Sequence, residues 1–148
     1  MSTRRINRAI NVLAWVLAAS FFAGFVTKFM PGDTFFGPAY SLKFVGWGYP
    51  SWLRFVVGLG ELIGGILLII PRYRFVGCLL LGVILQGAIV THVVNANPLG
   101  ESIAAPMTLL LVVIVAVASS PIRMSHLVTV TEKESPRAIR LSWDQTDR

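Results

Sequence analysis

Glu61 is the residue in this chain that most needs a physical explanation. It stands in an otherwise apolar, glycine-rich stretch, Gly58-Leu59-Gly60-Glu61-Leu62-Ile63-Gly64-Gly65. It lies roughly 10–11 residues from one end of that run, a depth of about 16 Å if the run is helical. An ionised carboxylate so placed in a bilayer costs a few kcal/mol even on lenient insertion scales, so it must face other protein and be either protonated or paired. A second group of polar residues follows: Gln86, Thr91, His92 and Asn95. At about 100° per residue, Thr91, His92 and Asn95 share one broad helical face. Gln86 lies near the level of Glu61 but about 120° around from His92. Lys28 closes an earlier apolar run, and two uses are open to it: its stem can snorkel to the interface, or bend inward towards Glu61. A carboxylate, an imidazole and an ammonium in one apolar bundle can exchange protons with a bound ligand or fix helices to one another.

The elements that must position these groups are four apolar runs. The chain has 148 residues, 55% hydrophobic and only 14% charged, against about a quarter charged in a soluble domain. The runs predict four membrane-spanning helices at about residues 9–29, 50–70, 75–95 and 103–120, each close to the roughly 20 residues that cross a bilayer. The first run is too long for a signal-peptide core and lacks a small-x-small cleavage site, so it reads as a spanning helix. Arg4, Arg5, Arg8, Arg72, Arg74, Arg123, Lys133, Arg137, Arg140 and Arg148 fall on one side of such a bundle. Lys28, Lys43 and Arg54 fall on the other. This positive-inside asymmetry predicts an all-α, integral inner-membrane four-helix bundle with both termini in the cytoplasm. It also accounts for the net charge of +6 without nucleic acid as a partner.

Between the first two runs, Met30 to Pro50 mixes glycine and proline with Phe35, Phe36, Tyr40, Phe44, Trp47 and Tyr49. That composition opposes a long helix and predicts an interfacial segment that partly caps the bundle. Pro71-Arg72-Tyr73-Arg74 predicts a tight turn, and Asn95 to Ser102 a second loop on the capped side. The charge-rich residues 121–148 read as a mostly disordered cytoplasmic tail. Gly60 and Gly64 form a GxxxG step with Gly65 beside it, which serves either close helix packing or room for a ligand. Cys78 is the single cysteine, so the chain by itself holds no dithiol, and it reads as a packing residue. One histidine and one glutamate are too few for a metal site.

Lys28-Phe29, Gly48-Tyr49-Pro50-x-Trp52-Leu53, Glu61-x-x-Gly64-Gly65, Pro71-Arg72 and Gly87-Ala88-x-x-Thr91-His92 together resemble the DoxX-like family, over about residues 9 to 120. The resemblance implies a four-helix membrane bundle with Lys28, Glu61, Thr91 and His92 at its polar positions. Members of the wider group are tied to quinone-linked sulfur oxidation, to membrane redox assemblies and to chaperoning of other membrane proteins. The expected role is therefore an accessory or assembly subunit of a membrane redox complex, with another membrane protein or a second copy as partner beside the lipid bilayer. The alternative is a quinone-binding oxidoreductase subunit, with His92 and Glu61 handling protons. Small-solute permeation comes third, because the half of the bundle near the termini has almost no polar residues.

Overall fold

The computed structural model describes residues 3–34 and 37–120. The expected tail at 121–148, with Phe35 and Phe36, lies outside the described residues. Within them the chain is all-helical: α1 (Thr3–Phe29), α2 (Tyr40–Gly46), α3 (Leu53–Ile69), α4 (Arg74–Val94), α5 (Leu99–Ser102) and α6 (Ala104–Ala118). No strand forms among the described residues, only an isolated bridge between Thr34 and Gly37.

Proline sets most of the boundaries. Ile70, ahead of Pro71, adopts an extended conformation (φ −86°, ψ 108°), as the clash with a following proline ring demands, and α3 stops there. Pro98 precedes α5 and opens it with φ −54°. Its missing N–H costs nothing at a helix start. The last apolar helical run therefore begins at Leu99 rather than at 103, and the expected loop from Asn95 to Ser102 shrinks to a short turn. Ile103 stays in the α region between α5 and α6, so Leu99–Ala118 forms one apolar span of 20 residues. The first helix likewise starts earlier than expected, at Thr3, and carries Arg4, Arg5 and Arg8 exposed on its first turns.

Three helical stretches are long and apolar enough to cross a membrane: Arg4–Phe29, Arg74–Val94 and Leu99–Ala118. α3, at 17 residues, is about 26 Å long. α1 packs on α3, α3 on α4, α4 on α6 and α6 back on α1. The surface they present outward is apolar, with Trp15, Phe22, Ile63, Ile66, Val90, Leu110 and Ile114 all exposed. Such a surface is stable against lipid and not against water; the chain is a membrane protein.

The glycines expected on α3 serve packing. A Cβ on Gly64 would stand 2.5 Å from Leu81 Cγ, and one on Gly60 would stand 2.7 Å from Ile84 Cδ1, so both let α4 approach. Gly65 faces α1, where a Cβ would stand 3.5 Å from the Ala18 carbonyl oxygen. Below them Leu17, Phe21, Leu68, Leu81, Val112 and Val115 fill the core. Each end is closed by an arginine. Arg74, buried, donates from Nε to the Leu68 carbonyl (2.9 Å) and from its terminal nitrogen to Asn11 Oδ1 (2.9 Å), joining α3, α4 and α1. Arg54 donates to the Lys28 and Met30 carbonyls at 2.8 and 3.1 Å and caps α1.

Two outcomes follow for stability. Gly64→Ala forces the α3–α4 contact apart and destabilises by about 1–3 kcal/mol. Adding Leu81→Ala relieves the clash, so the double variant is less destabilised than the sum of the two single changes, as read by unfolding in lipid bicelles. Ala96 sits after α4 at φ 48°, a left-handed position that costs an alanine about 1 kcal/mol. Ala96→Gly therefore raises stability by up to that amount in the same assay, and an unchanged or lowered midpoint contradicts the strain.

Candidate functional site

Glu61 is in the middle of α3 on the face turned to α1, where Gly24 has no side chain. A Cβ at Gly24 would come within 3.0 Å of Glu61 Oε2. Into that space Lys28 turns its ammonium from the last turn of α1. Its Nζ donates to Glu61 Oε1 at 2.9 Å and Oε2 at 2.7 Å, and lies 3.5 Å from the Gly24 carbonyl oxygen. The two side chains are 9% and 12% exposed. Of the two uses open to Lys28 in the sequence, the inward one is realised. The pair is charge-neutral, doubly hydrogen-bonded and enclosed, the arrangement in which burying two ions is tolerable.

The segment before α3 forms a roof. Tyr40, Phe44, Trp47 and Tyr49 line the same cavity as the ion pair. Lys28 Nζ stands 4.8 Å from the Tyr40 ring centre, a cation–π contact worth most when shielded from water. Burial, and secondarily the charge of Glu61, pushes the Tyr40 phenol above its ordinary range. It therefore remains a hydroxyl at neutral pH. Phe44 packs on Trp47 and Tyr49 with ring centres 5.7 and 6.2 Å apart. The Trp47 ring meets the His92 ring edge-on at 5.4 Å.

Hydrogen bonds then fix the α4 groups. Thr91 donates to the Gly87 carbonyl (2.8 Å), so the Tyr49 hydroxyl must donate to Thr91 Oγ1 across 3.2 Å. Asn97 Nδ2 lies 2.9 Å from His92 Nδ1. An amide nitrogen only donates, so Nδ1 accepts and the ring proton of neutral His92 sits on Nε2. Lys43 Nζ and Glu101 Oε2, 3.9 Å apart, link α2 to α5 at the rim.

Together these elements enclose a cavity of about 650 Å³, within the range of small-molecule sites. Its walls are mostly apolar, with Phe21, Leu53, Val57, Ile84, Leu85 and Ala105 among them, and its polar atoms gather at the roof end. The structure brings Lys28, Glu61, Thr91 and His92 to this one space. It leaves out Asn95, whose Nδ2 donates to the Thr91 carbonyl (2.9 Å) and finishes α4. It also leaves out Gln86, which is exposed on the outer side of α4. Helical geometry explains that exclusion: a residue about 120° from His92 cannot face the space His92 faces. Gly60, Gly64 and Gly65 belong to helix contacts instead of the cavity wall. Sequence reasoning missed Gly24 and Thr27, and it placed Tyr40, Trp47 and Tyr49 in an interfacial segment partly capping the bundle without naming them as site residues. The four-residue step from Gly24 to Lys28 is the signal that could have marked α1 as one side of a site. Among the described residues no group of three His, Cys, Asp or Glu side chains could hold a metal ion.

The buried pair has a measurable consequence. Lys28→Met or Glu61→Leu alone leaves one charge unpaired in an apolar site and costs about 3–5 kcal/mol, whereas the double variant recovers most of that loss. Unfolding in bicelles reads the four states. Additive losses in the double variant would contradict a direct pair.

Neither the curated proteins nor the solved structures give a match to this chain. The family comparison does: the model of the DoxX-like family matches residues 12–117, which include α3, α4 and every residue of the ion pair and its roof. The chain belongs to the DoxX-like family.

Proposed function

We propose that this chain spans the inner membrane as a four-helix bundle, with both termini cytoplasmic, and binds a small amphipathic molecule in the cavity beneath α2. Positive charge supports the orientation, since Arg4, Arg5, Arg8, Arg72 and Arg74 gather at one end of the bundle. The cavity then opens in the outer half. The observation that carries the binding reading is the buried Lys28–Glu61 pair at the wall of a 650 Å³, largely apolar space. An ion pair serving only to join two helices would be packed on all sides rather than bordered by a cavity of ligand size.

A quinone is the ligand class that fits best. Its carbonyl oxygens accept hydrogen bonds, and the cavity presents the Nε2–H of His92 as a donor. Glu61 and Lys28 supply a carboxylate and an ammonium within one hydrogen bond of each other, able to hold or release a proton beside such a head group. The accessory-subunit reading needs a polar group offered to a partner, and Lys28 and Glu61 turn inward. A permeation path is disfavoured by the core of Leu17, Phe21, Leu81 and Val115, which fills the bundle below the cavity.

Native mass spectrometry of the protein extracted with its surrounding lipid tests this reading. A quinone-sized mass is expected on the wild type and absent from Glu61→Gln and His92→Ala, both of which still accumulate in the membrane. A second polypeptide at fixed stoichiometry, with no small molecule bound, would replace the ligand reading with the subunit reading.

A further inference from the structure

We infer that the cavity takes an uncharged amphiphile sideways from the membrane, through the seam between α1 and α6, with its head group at the ion pair and its tail in lipid. The inference rests on the binding reading above and adds the charge of the ligand and its route. The first support is electrostatic. The charged groups that line the cavity are Lys28, Lys43, Glu61 and Glu101, two of each sign. They are arranged as two pairs, at 2.7 and 3.9 Å. His92 has its Nδ1 already engaged by the Asn97 side-chain amide at 2.9 Å. A head group with net charge would therefore enter a low-dielectric space without a spare counter-ion and would have to break a pair to gain one. A neutral head group with acceptor oxygens does not.

The second support is the seam. On α1, Ser20, Ala23 and Thr27 fall on one side of the helix, and on α6 Ala104 and Thr108 stand four residues apart on the side towards α1. All five line the cavity, and Ser20, Ala23 and Ala104 are exposed, so the cavity reaches the outer surface between these helices. α1 and α6 are also the most sparsely packed neighbours in the ring. The hydroxyls here are already used: Ser20 donates to the Val16 carbonyl at 3.0 Å and Thr108 to the Ala104 carbonyl at 2.8 Å. What remains towards the bilayer is small and effectively apolar, suited to an alkyl or isoprenoid tail. Deeper in the bundle the seam closes on Leu13, Leu17, Val112 and Val115. On the other flank the Tyr49 hydroxyl ties the roof to Thr91 of α4, where Gly87 also lines the cavity and is exposed.

The test uses full-length protein in lipid nanodiscs with Trp47 as the sole tryptophan (Trp15→Phe, Trp52→Phe, Trp143→Phe). Because Trp47 lines the cavity, quenching by decylubiquinone reads occupancy by a tailed neutral molecule, and quenching by duroquinone reads the head site alone. Saturable quenching by both is expected. Decyl phosphate and decyltrimethylammonium, which have the same tail and opposite charges, are expected to displace decylubiquinone at least tenfold more weakly than unlabelled neutral decyl quinol does. Ala23→Phe and Ala104→Phe should weaken decylubiquinone at least fivefold and leave duroquinone unchanged. Leu110→Phe, on the lipid-facing side of α6, should change neither. Equal displacement by a charged decyl compound overturns the charge argument. Unaltered decylubiquinone binding in the seam variants, or loss of duroquinone along with it, overturns the route. Absence of saturable quenching by either quinone rejects the binding reading itself, and this inference with it.

Discussion

A carboxylate and an ammonium held 2.7 Å apart in an apolar bundle set the terms for the rest of this structure. Removing two charges from water costs several kcal/mol each, and only close, multiply bonded contact offsets it. Each neighbouring feature serves that contact. Gly24 leaves the volume that the Glu61 carboxylate occupies, and Gly58 lets the base of Lys28 lie against α3, where a Cβ would be 3.4 Å from Lys28 Cβ. Arg54 holds the end of α1 by taking the Lys28 carbonyl itself, so the backbone that carries the ammonium is anchored by the helix that carries the carboxylate. Tyr40 covers the ammonium with a ring face and excludes water without adding charge.

The same constraint explains why the polar atoms are gathered at one end. α3 reaches Glu61 only eight residues after its start at Leu53, about 12 Å along the helix. Lys28 reaches it because α1 ends at that level. Below, the helices close on leucine, valine and phenylalanine with two glycines admitting α4. The far end is tied by Arg74 instead, through carbonyl and amide oxygens, with no carboxylate. The two ends thus use a cation differently: one to cap helices, the other to neutralise a buried anion beside a cavity.

Much of this was legible in the sequence, and the exceptions have definite causes. Hydropathy located the four apolar runs because a bilayer demands long uninterrupted stretches. Glu61 was conspicuous because hydrocarbon rejects it. The boundaries at Thr3 and Leu99 were misjudged because a polar first turn and a proline start do not appear in a hydropathy run. Gln86 was placed near the level of Glu61 but about 120° around the helix from His92, and that angle puts it on the outer side of α4. The roof was half legible. Aromatic density marked Tyr40, Trp47 and Tyr49 as interfacial, but their folding back over Lys28 and His92 depends on the turns at Gly37 and Gly48, both at positive φ. No periodic pattern records such turns.

These causes also explain why one site accommodates both a structural and a binding reading. A fully packed bundle could hold Lys28 and Glu61 as a simple clasp, and filling the space with leucine would then be the more stable solution. The chain instead sets Gly24 against the pair, lines the adjoining cavity with the small residues Gly87, Ala88 and Ala105, and roofs it with aromatic rings on and just after a seven-residue helix. Volume left open beside an enclosed ion pair forgoes dispersion contacts that a packed core would make. The cavity lies beside the most costly charges of the fold, while α3 packs tightly on α4 one turn below, and the proposed occupant would supply the contacts that a packed core makes for itself.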